Sequence, residues 1–175
     1  QNLGKAASSV SRSLASLRAL YNYLLLKGKV GLNPANKLKM PKTEKKLPQI
    51  LTLNEVDTLL NQPDTSSSKG LRDKAMLELL YATGLKVSEL IALNITDADI
   101  DFGYLKCIND NDVRIVPLGK AAIRALKEYI SLCRDGMLSD PSETAMFVNC
   151  SGTRMTRQGF WKIIKSYTQS AGIKK

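Results

Sequence analysis

The 175-residue chain contains no histidine. That removes the commonest general base and the commonest metal ligand, so any chemistry must come from Arg, Lys, Tyr, carboxylates or hydroxyls. Its three cysteines, Cys107, Cys133 and Cys150, are odd in number and lie far apart. No CxxC spacing offers a zinc site, and no even set offers a disulfide framework. No glycine-rich loop of the Walker or Rossmann kind is present, which leaves no sequence-level nucleotide cradle. No stretch reaches the roughly 18 to 20 apolar residues of a membrane span. The first residues, "QNLGKAASSVSRS", lack the charged-then-apolar pattern of a secretory signal. A reducing cytoplasm is the simplest compartment, and no membrane partner is expected.

Acidic residues are scarce at both ends. Residues 1–48 hold ten Lys or Arg against one acid, Glu44. Residues 144–175 hold six bases and no acid, while the middle, 49–143, holds fifteen acids against ten bases. The net charge of +10 is therefore segregated toward the ends. Segregation of this kind points to a polyanionic partner, with double-stranded DNA or other nucleic acid first in line. The competing reading is that the lysines only keep the chain soluble.

Local patterns divide the chain. "SVSRSLASLRALYNYLLLK", residues 9–27, predicts one helix with Val10, Leu14, Leu17, Tyr21, Leu24 and Leu25 on its apolar stripe, Ser9 as its cap and Gly28 as its stop. A short helical piece around Ala35–Leu38 follows. "MPKTEKKLP" reads as a linker, with two prolines around a charged run. Thr52 and Glu55 form a capping box ahead of Val56, Leu59 and Leu60. Residues 70–82 predict a core helix ended by Gly84, and "VSELIAL" starts another. The alternating "DADIDFGYLKCIND" and "VRIVPL" predict strands, with Phe102-Gly103 and Asn109–Asp112 as turns. Residues 119–134 return to helix, with Ala122, Ile123, Leu126, Ile130 and Cys133 on one face. "AMFVN" reads as a short strand or an extended piece, and the last helix is capped by Thr156 and stops near Gly172. The fold class is mainly α with a small antiparallel β-sheet. Three aspartates at alternate positions in "DADID" fit a solvated strand face better than a magnesium site.

The motifs in order resemble one family. "GLRDKAMLELLYATGLKVSELIALNITDADI", "RIVPLG" and "RMTRQGFWKIIKSY" are similar to segments of the tyrosine recombinases (phage integrases), above all the bacterial Xer recombinases. The resemblance implies a partial helical core-DNA-binding domain over 1–40, a linker over 41–49, and a partial catalytic domain over 50–175. It implies attack of a tyrosine on a DNA phosphate, a 3′-phosphotyrosine link, no cofactor or metal, and further recombinase protomers, assembled as a tetramer on two DNA sites. Fixed cations suit a phosphodiester that gains charge in its transition state.

Carried over by position, Lys86 stands where the family places its first catalytic arginine, with Glu89 as orienting acid. Lys offers a point charge where Arg offers a planar fork. Losing one preorganised donor of that kind costs roughly 10² to 10³ in rate. Asn109 stands at the position of the catalytic lysine and cannot serve as a general acid. The His-Arg motif and nucleophilic tyrosine of the family lie beyond "AGIKK", so an internal piece of a recombinase is one reading. A relative that binds DNA without the chemistry is the second, and a helical protein-interaction module is a third. Tyr81 and Tyr167 read as core, not as nucleophiles. Arg154, Thr156, Arg157 and Gln158 match the family's DNA-facing helix start, and Arg12 and Arg18, with Lys5, are candidates for the first domain. Each of these has a plain alternative as a cap or a solvated cation. Trp161, Ile163 and Ile164 are expected in the core.

Overall fold

The computed structural model describes residues 4–42, 47–109 and 112–174, with only the backbone of Ile108, Asn109 and Asp112. The chain divides into two compact units, residues 1–49 and 50–175.

The first unit holds helix α1 (Ala7–Leu26) and a 3₁₀ turn (Pro34–Lys37). Helix α1 starts before Ser9, with Ala6 at its N-cap and no side-chain cap bond. Ala7 carries the helix back, because alanine has the highest helix propensity. Of the predicted stripe only Leu14 is buried; Leu17 and Leu25 are exposed. One helix and one turn offer too little surface to cover that stripe. Polar bonds hold the unit together instead. Asn33 Nδ2 donates to the Arg18 carbonyl (3.2 Å) and to Asn22 Oδ1 (2.7 Å), and its Oδ1 accepts from the Ala35 N–H (2.9 Å).

In the second unit, α2 (Leu53–Leu60) begins at the expected capping box, with Thr52 and Glu55 bonding reciprocally. Helix α3 (Ser68–Thr83) is the central element, burying Ala75, Met76, Leu77 and Leu79. Short α4 (Val87–Ala92) follows, then a three-stranded antiparallel sheet of β1 (Ala98–Asp99), β2 (Tyr104–Asn109) and β3 (Asp112–Pro117), in the order β1-β2-β3. Residues 110–111, the tip of the predicted hairpin turn, lie outside the described residues, as does the side chain of Asn109. Helix α5 (Lys120–Tyr129) continues through a π-helical turn (Ile130–Arg134) into α6 (Asp135–Met137). Its buried face is Ala122, Ala125, Leu126, Tyr129 and Cys133, so Tyr129 and Ala125 join the core where Ile123 and Ile130 are only half-buried. "AMFVN" forms no strand. It is paired only through the isolated bridges Asn94–Ala145 and Val148–Arg154, yet residues 145–148 are fully buried. Helix α7 (Arg157–Ser170) closes the unit, capped by Thr156 as expected.

Two aromatic expectations are corrected. Trp161 is 65% exposed and Tyr81 is 56% exposed. On α7 the inward positions are Phe160, Ile163, Ile164 and Tyr167, and Trp161, one residue on from Phe160, is rotated by about 100° away from the core. Tyr81 sits two residues beyond Leu79, the last buried residue of α3.

One buried network had no counterpart in the sequence reading. Arg72 Nε (2.9 Å) and Nη2 (2.7 Å) both donate to Asp73 Oδ1, and Arg72 Nη1 donates to the Val148 carbonyl (3.0 Å). Tyr167 Oη donates to Asp73 Oδ2 (2.9 Å). Every partner of the buried pair is hydrogen-bonded, which is what makes burying two charges tolerable. The adjacent Arg-Asp in an otherwise apolar helix was the available signal.

Candidate functional site

The stretch "ATGLKVSEL" is a rigid corner. Thr83 Oγ1 bonds back to the Leu79 carbonyl and accepts from the Leu85 N–H (3.3 Å). Gly84 adopts the left-handed conformation (φ 63°) that ends α3, a conformation only glycine adopts without cost. Leu85 is buried and pins the corner to the core. Lys86 then takes an extended conformation as the N-cap of α4. Its side chain is exposed and forms no ion pair among the described residues.

Glu89 completes the corner from below. Its Oε2 accepts from the Lys86 backbone N–H (2.8 Å), which is half of a capping box; a lysine side chain has no lone pair with which to reciprocate. The same oxygen accepts from Arg114 Nη2 on β3 (2.9 Å). The Glu89 side chain is only 9% exposed and that of Arg114 is 44% exposed. Arg114 lies directly opposite Cys107 in the ladder. Burial pushes the Cys107 thiol up, against the opposing pull of Arg114.

A groove of ≈ 990 Å³ runs between α4 and α7. Val87, the neighbour of Lys86, lines it from one side; Thr156, Arg157 and Gln158 line it from the other. The start of α7, one of the predicted groups, thus lines one side of this opening, and Val87, next in sequence to Lys86, lines the other. Arg157 and Gln158 are exposed at the first turn of α7, with Thr156 Oγ1 accepting from the Gly159 N–H (3.0 Å). Lys162, Lys165 and Lys174 of the acid-free C-terminal stretch are also exposed.

Other candidates go elsewhere. Arg154 turns inward: Nη1 donates to the carbonyls of Ile91 (3.0 Å), Ala92 (2.9 Å) and Leu93 (3.0 Å), and Nη2 to Asn94 Oδ1. It closes the C-terminus of α4, where four carbonyls otherwise lack partners. Arg18 donates from Nε to the Ala35 carbonyl (3.2 Å) and from Nη2 to the Leu38 carbonyl (2.6 Å), clasping the first unit. Arg12 and Lys5 are exposed. Tyr167 and Tyr129 are poor nucleophiles. Burial, then the negative charge of Asp73, pushes the Tyr167 phenol up, and burial pushes the Tyr129 phenol to about 12. Among the described residues no group of His, Cys, Asp and Glu could hold a metal ion. No described helix is long and apolar enough to cross a membrane.

Comparison with known proteins agrees with this geometry. The profile of the phage integrase family matches residues 49–175. Tyrosine recombinase XerD of Oceanobacillus iheyensis is 44% identical over 174 residues, covering 98% of this chain and 58% of that protein. The crystal structure of a XerA recombinase superposes with a TM-score of 0.64 at 27% identity, covering 74% of this chain and 46% of that one. A lambda integrase dimer bound to a COC′ core site shares the fold over 97% of this chain and 60% of its own, with a TM-score of 0.71 at 15% identity. The chain spans 55% to 59% of the length of the curated relatives it matches.

Proposed function

This chain belongs to the phage integrase family, and from that premise we propose that it is the DNA-gripping portion of a Xer-like site-specific tyrosine recombinase and does not cut DNA by itself. The observation that carries the reading is the shared opening between α4 and α7. The exposed Arg157 and Gln158 line one side of the groove, and Val87, next in sequence to the exposed Lys86, lines the other. Arg157 sits at the start of a 14-residue helix, where backbone N–H groups and the helix dipole favour phosphate. Gln158 can read a base edge.

The absence of cutting rests on residue chemistry. Lys86 supplies charge without the bidentate fork. Asn109, at the implied position of the catalytic lysine, carries an amide far too weakly acidic to protonate a leaving oxygen. Tyr167 is held by Asp73, and Tyr129 is buried. The same observations favour the second reading, a DNA-binding relative that has lost the chemistry. In both readings duplex DNA is the first partner and further recombinase protomers, four on two DNA sites, are the second.

Fluorescence anisotropy with a labelled duplex tests the reading. Binding is expected at low salt and falls steeply as salt rises, because each phosphate contact releases condensed counterions. No binding at the lowest salt refutes it. A nicked suicide duplex is expected to yield no covalent adduct, and an adduct on any tyrosine refutes the claim that the chain does not cut.

A further inference from the structure

The strand β3 is built against its own apolar pattern. In "DVRIVP" the alternation would bury Val113 and Ile115 and expose Arg114. The structure exposes both apolar residues, and Arg114, itself 44% exposed, points to the opposite side of the strand. Val113 is 60% exposed and Ile115 is 66% exposed. Arg114 pairs opposite Cys107, and Val116 opposite Leu105; both partners are buried, so the arginine shares the core-facing side of the sheet. From there its guanidinium reaches Glu89 on α4 (2.9 Å). A local rule broken at one residue marks a functional or strained position.

We propose that Arg114 is a positioning residue for the phosphate contact made by Lys86, acting through Glu89. This rests on the DNA-binding reading above. One carboxylate oxygen of Glu89 holds both the Lys86 N–H and the Arg114 guanidinium. Arg114 therefore helps to set the rotamer of the acid that fixes the backbone of residue 86. It also neutralises that acid. Lys86 is the N-cap of α4 and Glu89 its N3 residue, the two positions whose side chains lie together in a capping box. Without Arg114 the carboxylate would draw the ammonium of Lys86 onto itself and oppose the phosphate. With Arg114 in place the ammonium stays free for DNA. Since Arg114 is on β3, the device also ties the β2–β3 hairpin to the corner at Lys86.

The test uses the full chain and two readouts. In Arg114→Met, hydrogen exchange at the Lys86 amide is expected to accelerate about tenfold, since its acceptor loses the Arg114 bond, and Arg114→Lys is expected to restore most of the protection. In duplex binding, R114M is expected to weaken affinity about tenfold in the unmodified chain but less than about twofold in the K86A background. E89Q/R114M is expected to bind as E89Q does. Unchanged exchange in R114M overturns the proposal. So does an equal loss in the K86A background, which would make Arg114 a direct DNA contact. Binding by the unmodified chain with additive losses overturns this role alone, whereas no binding by the unmodified chain overturns it together with the DNA-binding reading.

Discussion

Arg154 and Arg157 lie three residues apart in one motif, and the structure assigns them opposite work. Replacing Arg154 by alanine removes a guanidinium that spans the carbonyls of Ile91, Ala92 and Leu93 and the amide oxygen of Asn94. A hydrogen bond to a charged group contributes about 1.5 to 3 kcal/mol net. The three carbonyls share one nitrogen, so their contributions do not add. Ala92 is exposed, so water reaches part of the gap. A cation at a helix C-terminus contributes a further ~0.3 to 1 kcal/mol. The expected loss for Arg154→Ala is therefore about 2 to 3 kcal/mol. Urea unfolding followed by circular dichroism should show a lower midpoint with an unchanged slope. Arg157→Ala, at an exposed first-turn position, is expected to shift stability by less than about 0.5 kcal/mol. Duplex binding should show the mirror image: R157A lowers the salt slope by about one, and R154A leaves affinity within about twofold below its unfolding transition. Full stability in R154A combined with lost DNA affinity would refute the assignment.

Three further outcomes follow from the core. Asp73→Ala strands the buried Arg72 and is expected to destabilise by about 3 to 5 kcal/mol, while Tyr167→Phe leaves one carboxylate oxygen short of a donor and costs about 1 to 3 kcal/mol, both read by thermal melts. Gly152→Ala should prevent stable folding, because a Cβ there would lie 2.1 Å from the Ser139 nitrogen and φ is already +73°, whereas Gly84→Ala, with open space around it, should cost only about 1 kcal/mol in a melt. The Tyr129 phenol is raised from 10.0 to about 12 by burial, and that of Tyr167 is raised by burial and by Asp73. The folded state thus keeps protons that the unfolded chain releases, so this stability is complete below about pH 10 and is lost as pH climbs toward 12. For Tyr129 the loss amounts to about 2 to 3 kcal/mol, and Tyr129→Phe should flatten that part of the pH–stability curve.

The legible part of this protein is local. The capping box of Thr52 and Glu55, the stop at Gly84 and the cap at Thr156 each depend on backbone groups within four residues, and each stands as read. The order of helices and strands and the family resemblance also follow from sequence alone, because periodicity and motif spacing are properties of the chain itself. The fate of each cation is different. Arg18, Arg114 and Arg154 find their partners 17 to 63 residues away, and Arg72 adds to its neighbour Asp73 a carbonyl 76 residues away, so residue type could not separate a DNA contact from a clasp. Arg157 and Arg154 look alike in the motif, yet one faces the groove and the other turns under α4. The side of β3 that Arg114 takes was hidden for the same reason: it depends on the register with β2 and on the carboxylate of Glu89 on α4. Sequence determined which elements form and which family they build; only tertiary packing decided which charges remain free to meet a phosphate, since a guanidinium goes to the nearest carbonyl or carboxylate that the fold leaves unsatisfied.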